Sequence, residues 1–115
     1  MAGDLVYFVV PVGDADKGRA FYGELFGWDF TPGNVPGGFN IEGTTPRGGL
    51  FGGGESHTPT VYFDVDDIEA AVERVRELGG EASEPQEIPS GYMADCTDDQ
   101  GTRFSIWSPA KEGGG

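Results

Sequence analysis

The 115-residue chain holds one cysteine, Cys96, and one histidine, His57. A single cysteine excludes an internal disulfide and any zinc site made of several thiolates. A single histidine in a glycine-rich stretch leaves no Ser-His-Asp or Cys-His arrangement for nucleophilic catalysis. Bases are scarce too: seven Lys and Arg against twenty Asp and Glu give a formal net charge of −13. No segment gathers the few bases into a patch, so nucleic acid and anionic membrane surfaces are excluded as partners. No apolar run approaches the roughly 18 residues of a membrane span. Met1–Ala2–Gly3–Asp4 does not read as a signal peptide, and a cytoplasmic location is expected. The acidity itself has two readings, a cationic partner and plain solubility, of which solubility is the simpler.

Glycine and aromatic residues are plentiful. There are 21 Gly and 8 Pro, about a quarter of the chain, so turns take much of its length. Eight Phe, four Tyr and two Trp, within 37% hydrophobic residues, can still fill a core for one domain spanning 1–115. The sequence repeats on itself. Shifted by 53 residues, Val12-Gly13-Asp14 falls on Val65-Asp66-Asp67, Glu24-Leu25 on Glu77-Leu78, and Gly27 on Gly80. Each copy opens with a strand-like run, Leu5–Val12 or Thr60–Val65, and then a helix. The first helix is expected over about Asp14–Phe26, with Gly18, Phe21, Tyr22 and Leu25 facing a core and Gly27 as its stop. In the second, Asp66 with Glu69 reads as a capping box, Ile68, Ala71, Val72 and Val75 form the apolar stripe, and Gly79-Gly80 ends it. Three short strands should follow each helix: Trp28–Thr31, Phe39–Ile41 and about Gly48–Gly52, then Glu81–Ser83, Tyr92–Thr97 and Thr102–Trp107. Module one is thus about 4–53, a linker about 53–59, module two about 60–108, and a tail 109–115.

Two βαβββ modules with Val-x-Asp opening each helix resemble the vicinal oxygen chelate superfamily, which includes glyoxalase I, extradiol dioxygenases and bleomycin-resistance proteins. The carrying residues are Val12-Gly13-Asp14, Ala20–Trp28, Val65-Asp66-Asp67, Glu77–Gly80 and the closing hairpin Asp98–Trp107. The closest subgroup in pattern is the short glyoxalase-like proteins of actinobacteria. The resemblance implies an α+β fold, a curved, incomplete barrel around a cleft, and a homodimer. It also implies a divalent metal held by four inward side chains, drawn from His, Gln, Glu or Asp. Counting from the helix-opening motifs puts those positions at Tyr7, Thr60 and Ser105, with Gly52, or Gly49 in a slipped register, as the fourth. None is a metal ligand of that set, so the metal and its Lewis-acid chemistry are expected to be absent. No other site replaces it in the sequence: His57 lies in the linker, Glu42 and Glu55 lie near turns, and strand alternation separates Asp95 from Cys96.

The same alternation defines the residues of the expected cleft: Leu5, Tyr7 and Val9, then Thr60 and Tyr62 with Asp64, then Leu50 and Gly52, then Arg103, Ser105 and Trp107. Trp28, Phe39 and Tyr92 belong at its rim; Phe51, Phe104 and Ile106 belong in the core. An aromatic concave face with a few polar tips suits a flat or cationic organic molecule, although aromatic residues at strand spacing serve equally well as packing. Tyr7 beside Asp64 or Arg103 is the one conceivable acid–base pair, and Cys96 reads as a buried structural thiol. The expected function is metal-free binding of a small molecule, with no catalytic residue and no cofactor. A metal-dependent glyoxalase, lyase or dioxygenase with relocated ligands and a non-catalytic interaction module are the rivals.

Overall fold

Asp14 stands in extended backbone (φ −124°, ψ 112°) and its carboxylate accepts the Lys17 amide at 3.1 Å, which starts α1 (Ala15–Phe26). Gly27, at φ 73°, returns its amide to the Gly23 carbonyl and stops it. Asp67 plays the part of Asp14 for α2 (Ile68–Glu77), accepting the amides of Glu69 and Ala70 at 3.0 and 3.2 Å. The cap is therefore Asp67 and not Asp66. The shift agrees with the 53-residue repeat, which sets Asp14 on Asp67. The computed structural model describes residues 3–33, 36–53 and 58–110; most of the expected linker, with Glu55 and His57, lies outside the described residues.

Two compact units divide the chain. The first, Val6–Val61, has strands β1 (Leu5–Pro11), β2 (Asp29–Pro32), β3 (Gly38–Glu42) and β4 (Gly48–Phe51) in the order β2-β3-β4-β1. Its neighbours β2–β3 and β3–β4 are antiparallel, while β1 runs parallel to β4. On one side Val10, Ile41 and Leu50 are buried together, with Phe8, Val12, Ala15, Tyr22, Trp28, Phe30 and Phe39 packed around them. Gly18 lets α1 close onto this layer, because a Cβ there would sit 3.1 Å from Val12 Cγ2 and 3.3 Å from Leu50 Cδ1. The buried stripe of α1 turns toward Arg19, whose guanidinium lies 4.7 Å from the Phe39 ring centroid. That rotation leaves Phe21 (61%) and Leu25 (58%) exposed, against the expectation that both face the core.

The second unit runs from Tyr62 and takes in the amino-terminal residues up to Leu5. Its strands are β5 (Thr60–Asp64), β6 (Glu81–Ala82), β7 (Gln86–Ile88), β8 (Gly91–Thr97) and β9 (Arg103–Pro109). β5 is parallel to β9, β9 antiparallel to β8, and β6 and β7 both lie along β8. β7 was not foreseen, since Glu84-Pro85-Gln86-Glu87 carries no apolar alternation. The β6 and β7 registers on β8 differ by one residue, so the two are a single strand broken around Ser83–Pro85, and β-α-β-β-β holds in both modules. Ile68, Val72, Ala94, Cys96 and Ile106 form the core under α2, flanked by Ala71, Val75, Tyr92 and Phe104. The backbone of Gly3 and Asp4 pairs with Asp64, and the Asp4 amide also donates to the Asp64 carboxylate at 2.8 Å.

Candidate functional site

Each unit's sheet has a helix-covered side and an opposite side, and register decides which residues stand on which. In the first unit Val9 pairs with Gly49, and Val10 with Leu50. Val10 and Leu50 are core, so Tyr7, Val9, Gly49 and Phe51 occupy the opposite side. Tyr7 and Val9 stand where alternation put them. Leu50 does not: it is fully buried (0%) beneath α1. Phe51, expected in the core, stands on the side with Tyr7. The cause is arithmetic. Gly49 stands beside Val9 and Ser105 beside Tyr62, so the repeat offset is 53 on the first strands and 56 on the last. The second module is three residues longer before its last strand, and an odd shift exchanges the two faces of a strand. Gly49, not Gly52, is the counterpart of Ser105.

Gly49 is glycine for a reason. A Cβ there would lie 2.8 Å from Phe51 Cε2 and closer still to the Tyr7 hydroxyl. The Tyr7 side chain thus fills the space that a side chain from position 49 would enter. Burial pushes the Tyr7 phenol above its ordinary pKa, opposed by the nearby charge of Arg47, so at neutral pH it is an uncharged hydroxyl. Beyond it on the same side, Arg47 grips the Glu42 carboxylate at 2.8 and 3.1 Å. Thr31 donates to Glu42 at 2.9 Å, and Asn40 to Thr31 at 3.4 Å. These bonds, the one from Thr31 foremost, hold the Glu42 carboxyl below its usual range. Sequence reasoning took Glu42 for a lone surface acid and missed Arg47.

In the second unit Tyr62, Ser105, Trp107 and Arg103 share the side away from α2, and Thr60 has the same parity at the start of β5. Phe104 and Ile106 are on the helix side, as expected. Ser105 is 1% exposed and donates to Asp95 at 3.0 Å across the β8–β9 pair. Trp107 Nε1 donates to Ser90 Oγ at 3.0 Å, which fixes the indole edge, and Met93 is its cross-strand neighbour. The sequence reading weighed Asp95 only as a metal ligand with Cys96, although alternation across the hairpin from Ser105 points to it as a partner of that hydroxyl. The Asp64 carboxylate accepts the Asp4 amide of the amino-terminal arm. Trp28, Phe39 and Tyr92 are not rim residues: each packs into a helix-side core, because Phe39 is two residues from Ile41 and Tyr92 two from Ala94. Cys96 is buried on the α2 side, opposite to Asp95, and burial pushes its thiol up to about 11.

The family profile of the Glyoxalase/Bleomycin resistance protein/Dioxygenase superfamily matches residues 4–106. The chain belongs to that superfamily. Mycobacterium tuberculosis and Mycobacterium bovis proteins named as a glyoxylase, CFP32, are 30% identical over 107 residues. The match takes in 82% of this chain and 41% of theirs, so the chain spans about two fifths of those relatives. Among solved structures, hypothetical protein BH1468 of Bacillus halodurans aligns with TM-score 0.73 at 14% identity over 96% of each chain. Methylmalonyl-CoA epimerase of M. tuberculosis aligns with TM-score 0.68 at 17% identity, over 96% of this chain and 89% of its own. These likenesses establish the α+β fold of the superfamily. At the positions that the resemblance implies for metal ligands, with Gly49 rather than Gly52 as the fourth by register, stand Tyr7, Gly49, Thr60 and Ser105; a phenol, a hydrogen and two aliphatic hydroxyls do not fit a divalent cation. Among the described residues no three of His, Cys, Asp and Glu come together, and no helix is long and apolar enough to cross a membrane.

Proposed function

We propose that this superfamily member binds a small organic molecule without a metal, favouring flat and cationic ones. The observation that carries the reading is the filling of the ligand position at Gly49 by the neutral Tyr7 hydroxyl. The aromatic surface supports the ligand class. Tyr7 and Phe51 stand on one unit's open side, and Tyr62 and Trp107 on the other's, where stacking and cation–π contact are available. Asp95 adds a carboxylate opposite Ser105 on that side, and the net charge of −13 draws cations in. The chemistry needed is affinity alone: among the described residues no histidine accompanies the Ser105–Asp95 hydrogen bond, and the raised phenol of Tyr7 is a poor base at neutral pH. By likeness to the superfamily the working form is a homodimer, which sedimentation at micromolar concentration tests.

The deciding experiment measures metal by mass spectrometry on untagged protein after dialysis against nickel, zinc, manganese and iron(II), alongside thermal shift with aromatic cations. Less than a tenth of an ion per chain, with a ligand-dependent rise in Tm, is the expected result; saturation to 100 Kd adds about 2.7 kcal/mol. About one ion per chain overturns the reading and favours a metal-dependent enzyme of the glyoxalase or epimerase kind.

A further inference from the structure

Three of the five large apolar side chains that stand exposed among the described residues belong to α1: Phe21, Leu25 and Phe26. The helix packs its other side on the first unit's sheet, so nothing described in that unit covers Phe21 and Leu25. We infer that this stripe is where two copies of the chain meet, α1 lying antiparallel on α1 of a second copy across a two-fold axis. The inference rests on the homodimer of the reading above and names its surface. Phe21 and Leu25 stand one turn apart, and Lys17 and Glu24 share their side of the helix. The Phe21 ring is already held edge-on by Tyr22, with centroids 5.1 Å apart, so association has little to order.

Charge fixes the occupant and its direction. Lys17 stands toward the amino end of the stripe and Glu24 toward the carboxyl end, both exposed and neither in an ion pair among the described residues. About 10.5 Å of helix separates them, so they do not meet within one helix. Lys17 lies about 6 Å before Phe21 along the axis and Glu24 about 4.5 Å after it. A second α1 reversed about Phe21 therefore sets each Lys17 beside the partner's Glu24. Phe21 then meets Phe21 at the axis, and each Leu25 lies against the partner's Phe21. A surface that complements itself in this way is what a closed two-fold contact requires. The second module supplies the contrast. The 53-residue repeat sets Ala70 on Lys17, Arg74 on Phe21 and Glu77 on Glu24, and Arg74 meets Glu77 at 3.2 Å within its own helix. That face satisfies its charges alone, with only Leu78 left apolar and exposed, whereas the α1 face needs a second copy.

Two helix faces bury less than the roughly 1,600 Å² of a standard interface, so association is reversible and in the micromolar range. Sedimentation equilibrium on the full chain covers micromolar to millimolar concentrations at physiological ionic strength, where a Debye length of about 8 Å screens the net charge of −13. The expected result is a monomer–dimer equilibrium whose dissociation constant rises at least about tenfold in Phe21→Ser. Lys17→Glu and Glu24→Lys each weaken self-association about tenfold, since each dimer loses two ion pairs. An equimolar mixture of those two variants restores wild-type affinity, because both pairs re-form between unlike chains. A cooperative thermal transition establishes that each variant is folded. The charge variants, altered only at exposed side chains, decide the matter if Phe21→Ser does not fold. A chain monomeric at millimolar concentration overturns the homodimer and this surface together. A dimer indifferent to Phe21→Ser, or a mixture no tighter than the single variants, overturns the surface alone. Thermal shift with aromatic cations tests the ligand separately.

Discussion

The last strands of the two modules do the same job with opposite materials. In the first unit β4 reads Gly48-Gly49-Leu50-Phe51; in the second the equivalent part of β9 reads Phe104-Ser105-Ile106-Trp107. The partner strands are inverted to match. Phe8 of β1 lies over Gly48, while the counterparts by the repeat are a small Val61 and a large Phe104. Tyr7 leans over Gly49, whereas Ser105 carries its own hydroxyl to Asp95. Cross-strand volume is conserved and its source is exchanged, which is the pairwise logic of sheet packing. The contrast also teaches why the polar character of the two open sides differs: glycine leaves room for a neighbour's side chain, and serine brings a bond of its own.

The equivalence breaks or holds first at its buried pair. Leu50→Ala and Ile106→Ala should each cost about 2–5 kcal/mol by urea unfolding; a Leu50→Ala loss under about 1 kcal/mol would place Leu50 outside the core and undo the register. Next, Gly48→Ala brings a Cβ to 2.5 Å from the Phe8 ring and should cost about 1–3 kcal/mol. Adding Phe8→Val, which imitates Val61, should return at least half of that loss, and strict additivity of the two substitutions would refute the exchange of volume. Ser105→Ala, which leaves Asp95 to water on the exposed side, should cost about 1 kcal/mol, whereas Gly49→Ser, whose Cβ would press on Phe51 and the Tyr7 hydroxyl, should cost about 1–3 kcal/mol through strain.

Titration gives the smallest effects, and its sign differs between the units. The folded second unit holds the Cys96 proton more tightly than the unfolded chain does, with the thiol raised from 9.0 to about 11. That contribution is full below pH 9 and is lost as pH rises toward 11, so Cys96→Ala should flatten the alkaline fall in stability; alkylation of native Cys96 at pH 8 should be roughly 100-fold slower than that of an open thiol. In the first unit the Glu42 carboxyl is lowered, so its contribution is present at neutral pH and is lost as pH falls through its folded value. Glu42→Gln should remove a small part of the acid-side slope, because the small contribution present at pH 7 is lost with the carboxylate.

Much of the fold was legible because it rests on local chemistry. The capping aspartates, the stop at Gly27, the apolar stripe Ile68-Ala71-Val72-Val75 and the 53-residue repeat are short-range signals, and they place both helices and most strands. Less of the site was legible. Tyr7, Val9, Tyr62, Ser105 and Trp107 follow from alternation along their own strands, but Leu50 and Phe51 were exchanged because their faces depend on a register set by a partner strand. The exposure of Phe21 and Leu25 was equally hidden: both lie within the helical period, and only the docking angle of α1, set by Gly18 against Val12 and Leu50, decides which edge of the stripe is covered.

By itself the sequence determined the number of modules, the element order and the superfamily, since these reside in residue identity and spacing. Tertiary structure alone decided that Tyr7 fills the space over Gly49 and that Asp95 takes the Ser105 hydroxyl. Such pairings join residues far apart in the chain, and one residue of register is enough to send a side chain to the other face of its sheet.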